Sequence, residues 1–114
     1  MYEYANELPP VEVLNERFEL DSLIPSGLRH KINPRGPWAK KGDPTGRMNS
    51  CGYYQTKVDG VHYLNSRLIW KMVNGKDPVQ VIDHIDNNPQ NNCIKNLRDV
   101  TPKENSLNRK DYKN

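Results

Sequence analysis

The sequence predicts a small α+β domain, in which an N-terminal β-hairpin and one helix precede a strand–loop–strand–helix unit. Asp59-Gly60 separates two β-favouring runs, and this pair suits a type I′ turn because both central residues need positive φ. "SRLIWKMVNG" has helical apolar spacing, and Gly75 stands where a C′ glycine is common. "TPKE" at 101–104 has the spacing of a helix capping box.

The chain is short and polar, and its charge is unevenly distributed. It has 114 residues, of which 34 % are hydrophobic, so we expect one domain with a small core. Residues 1–21 hold six acids and one base, whereas the other 16 bases and eight acids give the remainder a charge of +8. Such a body suits a polyanionic partner, although a solvated surface with an acidic tail explains the charge equally well.

The composition gives no indication of export or of membrane insertion. Cys51 and Cys93 are far apart and form no C-x-x-C, so free thiols are favoured, although one disulfide is possible. No apolar run reaches the roughly 18 residues of a membrane span, and the N-terminus is acidic rather than basic. We therefore expect a cytoplasmic protein without a membrane partner.

The segment before the hairpin has weaker signals. "LPPVEVLNERFELDSL" permits a short helix or turn, "GLRHKI" permits a strand, and "NPRGPWAKKGDPTG" indicates a long loop. We divide the single domain into an acidic segment 1–21, a β-rich part 22–77 with a helix at about 66–74, and the unit 78–112.

Basic residues are interleaved with an aromatic residue in the β-rich part, which suits contact with a DNA backbone. The candidate DNA contacts there are Arg35, Lys40, Lys41, Arg47, Arg67 and Lys71. For the two bases on the helix we expect a position facing solvent or phosphate. Trp38, at the centre of the loop bases, is expected to pack down on the sheet instead.

The stretch "VIDHIDNNPQNNCIKNLRDVTPKEN", residues 81–105, has the residue types of a metal-assisted hydrolytic site. Asp83 and His84 would face opposite sides of a regular strand, so acting together requires the strand to end or bend there. The capping box places Asn105 on the first turn of a helix that can approach them. Carboxylate and amide oxygens suit Mg²⁺, while a neutral histidine can accept a proton from water. Together they make phosphodiester hydrolysis feasible.

This stretch resembles the HNH, or His-Me finger, endonucleases, and most closely the phage-type enzymes related to nicking homing endonucleases. The motifs "DHIDNN" and "NLRDVTPKEN" carry the resemblance, which covers roughly residues 20–110. It implies a ββα-metal motif in which His84 is the general base, while Asp83 and Asn105 hold one Mg²⁺ or Mn²⁺. It also implies that Asn96, in the second strand, braces the loop that carries the histidine. The implied catalytic set is therefore His84, Asn96 and Asn105.

Two further bases and two departures accompany the resemblance. Arg98 and Arg109 are candidate phosphate contacts. The last motif position is Asn105 rather than histidine, as in several relatives, and Ser66 replaces an orienting histidine that is frequent before the helix.

The sequence thus predicts a metal-dependent endonuclease that acts on double-stranded DNA as a monomer or homodimer. A phage-encoded homing or nicking role in the host cytoplasm is the expected setting. The alternatives are a non-catalytic DNA-binding module and an accessory protein of phage packaging or recombination.

Overall fold

The computed structural model describes residues 7–79, 81–101 and 103, and the fold is given for those residues. Two α-helices span Val11–Arg17 (α1) and Asn65–Asn74 (α2). The strands are Phe18–Leu20 (β1), Leu28–His30 (β2), Arg47–Met48 (β3), Tyr54–Val58 (β4), Val61–Leu64 (β5), Val81–His84 (β6) and Leu97–Val100 (β7). They form three antiparallel sheets, β1–β2, β3–β4–β5 and β6–β7. The predicted α+β class is confirmed, whereas the predicted last helix and its capping box run into positions outside the described residues.

The described part of the acidic segment, residues 7–21, takes part in the fold. α1 follows a pair of prolines, and the chain then leaves the helix at Phe18, which opens β1 and pairs with His30 of β2. Arg29 of β2 binds the carboxylate of Asp21, with 2.7 Å between Nε and Oδ2. This pairing joins the predicted segments 1–21 and 22–77, and the three-part division itself stays a prediction.

The hairpin β4–β5 has the turn that its sequence predicts. Asp59 and Gly60 have φ values of 49° and 87°, and Val58 pairs with Val61 across the turn. A positive φ is strained for most side chains but is tolerated by aspartate and glycine. The turn therefore fixes the register that leads the chain into α2.

The predicted helix at about 66–74 is confirmed by α2, which ends as predicted at a glycine. Gly75 has φ 77°, and its N–H bonds to the carbonyl four residues earlier at 2.7 Å. Asn65 is the first helical residue and is fully buried. Its side chain bonds to the hydroxyl of Thr56 and to the carbonyl oxygens of Ser26 and Thr45. Asn65 therefore joins the hairpin to two loops and makes no side-chain capping bond.

The core is centred on α2. Leu68 and Ile69 of this helix are at most 1 % exposed, as are Leu14 of α1 and Leu28 of β2. The same cluster includes Ile82 of β6 and Leu97 of β7. The apolar side of α2 thus packs beneath both the N-terminal part and the β6–β7 sheet, and holds the two together.

Arg67 and Lys71 are buried on α2, with 2 % and 8 % of their surface exposed. Lys71 Nζ lies 2.7 Å from Asp77 Oδ1 and donates to the carbonyl of Leu8 at 3.3 Å. Burial would raise the pKa of Asp77, but its bonds from Lys71 and from the Leu8 N–H outweigh that effect, so the pKa is lowered. The expectation that Arg67 and Lys71 face solvent or phosphate is therefore wrong, because both are buried and Lys71 is paired with Asp77 inside the fold.

The two cysteines and the hydropathy of the helices were also subjects of prediction. Cys51 and Cys93 are both free thiols, as the sequence favours. Among the helices of the described segments, none has the length and hydropathy that crossing a membrane requires.

Candidate active site

The β6–β7 sheet carries the Asp-His pair at its end. Residues Val81–His84 pair in register with Leu97–Val100, so that Asp83 lies opposite Arg98 and His84 opposite Leu97. β6 ends at His84, where the N–H of Asn87 bonds to the His84 carbonyl at 2.8 Å and Asn87 has φ 63°. β6 therefore ends directly after the Asp83-His84 pair, as predicted, and the chain leaves the strand through a tight turn.

His84 is a buried histidine with two defined neighbours. Its side chain is 6 % exposed, and its Nε2 lies 3.0 Å from Oδ1 of Asn92. The ring of Tyr53, just before β4, lies with its centroid 5.9 Å away and tilted by 47°. Burial lowers the pKa of His84, and this effect exceeds the opposing effects of the Asn92 hydrogen bond and of the Asp86 and Asp83 carboxylates. A histidine in this state is mostly neutral at pH 7.

Asp83 is a buried carboxylate with a cation beside it. The residue is 2 % exposed, and its Oδ2 accepts a hydrogen bond from Arg98 Nε at 2.9 Å. The Arg98 side chain is 46 % exposed, so one guanidinium reaches both the buried carboxylate and the surface. Because a buried carboxylate is costly without a compensating cation, this pairing helps to hold Asp83 in place.

Asn96 braces the loop that follows His84. Its Oδ1 accepts the N–H of Asp86 at 3.0 Å, while its Nδ2 donates to Asp86 Oδ1 and to the Asn91 carbonyl, each at 2.9 Å. Burial would raise the pKa of Asp86, but the bonds from Asn91, Asn88 and Asn96 outweigh it and lower the pKa. Asn96 is the last residue of a 3-10 helix, Ile94–Asn96, and not part of the second strand as expected. This position turns its amide toward the loop, because the chain has not yet entered the sheet.

The sequence comparisons bear on this same segment. Residues 63–107 match the family model described as HNH endonuclease. The match covers less than half of the chain, and over it the chain is similar to the HNH endonucleases. The predicted resemblance is thereby confirmed over these residues, which run from β5 through α2 and the β6–β7 sheet.

One curated relative is a phage protein. Protein 3.8 of Escherichia phage T7 is 51 % identical to this chain over 43 residues, which make up 37 % of this chain and 36 % of that protein. The similarity thus spans little more than a third of the relative's length. No solved structure matches the chain.

The second predicted metal ligand lies outside the described residues. Asn105 has no described position, and the same holds for Arg109. Within residues 7–79, 81–101 and 103, no cluster of three or more His, Cys, Asp or Glu side chains is arranged to hold a metal. In the described part of the HNH segment, the predicted ligand set is therefore represented by Asp83.

The predicted DNA-contacting bases fall into two groups. Those outside α2 are exposed: Arg35, Lys40, Lys41, Arg47 and Arg98. Those on α2 are buried, as described above. Trp38, expected to pack on the sheet, is 88 % exposed, so that expectation is wrong. The loop turns back on itself, with Lys40 N–H bonded to Asp43 and Lys41 N–H bonded to Asn33, and these bonds leave the indole at the surface.

Two residues around His84 were not predicted from the sequence. Asn92 lies in the asparagine-rich loop after His84, is 3 % exposed and contacts the imidazole. Tyr53 lies 31 positions before His84, outside the HNH segment. No local sequence pattern distinguishes either residue, because their contacts with His84 form only in the tertiary fold.

Proposed function

We propose that this chain is a divalent-metal-dependent DNA endonuclease that hydrolyses phosphodiester bonds. The observation that supports it most directly is the position of two adjacent buried side chains, Asp83 and His84, at the end of β6 inside the HNH segment. Asp83 offers an oxygen ligand and His84 offers a base, and both are among the last residues of β6.

His84 is the proposed general base. A neutral imidazole near pH 7 can take a proton from water as that water attacks phosphorus. The lowered pKa of His84 favours the neutral form, because burial disfavours the charged ring. The bonds from Asn96 to the loop after His84 support the same site by fixing the backbone that leaves the strand.

The donor chemistry at Asp83 fits a hard divalent cation. Mg²⁺ binds oxygen ligands and usually keeps several waters, so one or two protein ligands are sufficient. Asp83 supplies a buried carboxylate, and Asn105 is the proposed second ligand. A bound Mg²⁺ or Mn²⁺ would neutralise charge on the phosphate and on the leaving oxygen.

The proposed DNA-binding surface uses the exposed bases and the exposed indole. Arg35, Lys40 and Lys41 lie on the loop that presents Trp38, and each is exposed. Arg47 lies in β3, and the neighbouring Met48 accepts a contact from Gln90 of the loop after His84, with 3.7 Å between Nε2 and Sδ. β3 therefore lies next to the candidate active site. Arg98 extends the surface, since half of its side chain remains exposed beside Asp83.

A phage-encoded nicking or homing enzyme is the proposed setting, which the similarity to a T7 protein supports. One active site cuts one strand, so cleavage of both strands requires a second copy or a second binding event. The alternatives are a non-catalytic DNA-binding module and an accessory protein of packaging or recombination.

A plasmid assay separates these possibilities. The wild-type chain should convert supercoiled plasmid to the open-circular form with Mg²⁺ or Mn²⁺ and should leave it intact with EDTA. His84→Ala should abolish nicking and retain DNA binding, whereas the matched control His62→Ala, an exposed histidine of β5, should cut like wild type. DNA binding without cleavage under every metal condition favours the non-catalytic module. Cleavage that appears only after infected-cell extract is added favours the accessory protein.

A further inference from the structure

Asn92 connects His84 to a distant part of the chain. Its Nδ2 donates to the carbonyl of Pro25 at 2.8 Å, and its Oδ1 lies 3.0 Å from His84 Nε2. A carbonyl oxygen only accepts hydrogen bonds, so the amide nitrogen of Asn92 must face Pro25. The amide oxygen must then face the imidazole.

This orientation determines which imidazole nitrogen carries the hydrogen. The amide oxygen of Asn92 only accepts, so Nε2 of His84 must be the N–H donor. A neutral imidazole has one N–H, which leaves the lone pair on Nδ1. We propose that Asn92 is a positioning residue that makes Nδ1 of His84 the proton-accepting nitrogen. This inference rests on the proposed role of His84 as general base.

The backbone around Asn92 is packed closely enough to maintain this orientation. A Cβ added at Gly27 would lie 2.9 Å from the Asn92 carbonyl oxygen and 2.6 Å from Ile69 Cδ1, so only glycine fits between the loop and α2. Gly27 has φ 76°, which a side chain would also disfavour. The segment 25–27 therefore approaches the Asn92 loop directly and presents the Pro25 carbonyl to the amide.

Tyr53 packs against the imidazole as a second restraint. Its ring centroid lies 5.9 Å from that of His84 at a tilt of 47°, a geometry typical of aromatic pairs. Pro25, Gly27 and Tyr53 all precede residue 63, where the HNH match begins. The N-terminal part of the chain therefore completes the surroundings of His84, a base that belongs to the matched segment.

Three variants distinguish a positioning role from simple structural support. Asn92→Leu is similar in size but lacks both polar contacts. Asn92→Asp keeps an oxygen that can accept from Nε2–H but loses the donor to Pro25. Both should lose the stability that the Pro25 bond supplies, so a difference between them reports on the histidine contact. Asn88→Ala is the matched control, because the one described bond of this exposed loop side chain is the hydrogen bond that its Oδ1 accepts from the Gln90 N–H.

The direct readout is the tautomer of His84 in the DNA-free protein. Long-range ¹H–¹⁵N spectra at about pH 8, above the ordinary histidine pKa of about 6.5, report the tautomer of a neutral ring. The His84 signal is assigned by its absence in His84→Ala. Wild type, Asn92→Asp and Asn88→Ala should show the Nε2–H form, whereas Asn92→Leu should move toward a mixture of both tautomers.

Cleavage kinetics provide the second readout. Asn92→Leu should lower kcat on the order of 10- to 100-fold with little change in KM, as for other side chains that orient a functional histidine. Asn92→Asp should recover much of that loss. An Nδ1–H tautomer in wild type, or an unchanged tautomer in Asn92→Leu, overturns the inference. Absent cleavage by wild type overturns the nuclease proposal instead, because the tautomer is measured without DNA or metal.

Discussion

Replacing Asn96 by alanine should destabilise the chain by loosening the loop after His84. The Asn96 amide makes three side-chain hydrogen bonds, two with Asp86 and one with the Asn91 carbonyl. Alanine provides none of them, and all three partners lie in the segment 86–91. The loss is therefore concentrated at the backbone that leaves the candidate active site.

The expected cost follows from the type of each bond. A neutral hydrogen bond contributes about 1 kcal/mol net, and one to a charged acceptor about 1.5–3 kcal/mol. Two of the Asn96 bonds are neutral, and the third ends on the Asp86 carboxylate. Because Asp86 is exposed, we use the lower end of the range for a charged acceptor. The free energy of unfolding should therefore fall by about 3 kcal/mol. In a domain of this size that corresponds to a Tm lowered by roughly 12 °C.

Urea denaturation of wild type, Asn96→Ala and Asn88→Ala measures this difference. Asn88 accepts one hydrogen bond from the Gln90 N–H at 3.0 Å, so its replacement should cost about 1 kcal/mol or less. The cleavage rate of Asn96→Ala should also fall while its affinity for DNA stays near that of wild type. An unfolding free energy within about 0.5 kcal/mol of wild type, or equal losses in both variants, refutes this account of the loop.

Three further predictions concern the DNA surface and the buried cations. Trp38→Ala should weaken DNA binding severalfold and leave the Tm unchanged, since the indole is exposed; unchanged affinity in a titration excludes it from the interface. Replacing Lys40 and Lys41 by glutamine should reduce the slope of log K against log salt by about 0.9 for each lost phosphate contact; an unchanged slope places the DNA elsewhere. The folded pKa of Asp77 is lowered from 3.8, so the stability from its contact with Lys71 is present above that value and is lost as pH falls through the folded pKa. Asp77→Asn should remove that part of the acid dependence in pH-dependent melting; an identical profile contradicts the assignment.

The parts of the fold that local sequence predicted are those with local causes. The hairpin turn needs positive φ at Asp59 and Gly60, and both requirements can be read from two neighbouring residues. Gly75 ends α2 for the same kind of reason. The three-residue strands β1 and β2 have no comparable signal, because a strand that short is defined by its partner.

The errors arose where a residue's partner is distant in sequence. Lys71 looked like a surface base because Leu8, 63 positions earlier, becomes its partner only after folding. Asn92 was not recognised as a neighbour of His84, because Pro25, 67 positions earlier, becomes its partner only after folding. The pair Asp83-His84 could be recognised from the sequence because the two residues are adjacent. The residues that surround the pair in the fold could not be predicted in this way.

Single-turnover cleavage of an end-labelled duplex, with protein in excess over DNA, tests the central claim most directly. Binding is then complete for every variant, so the rate reports the chemical step at His84. With Mg²⁺, wild type should cleave at a measurable rate, and His84→Ala should be slower by about 10²- to 10⁴-fold, the usual contribution of a general base. Equal rates for the two proteins at saturating concentration would contradict the assignment of His84 as the base.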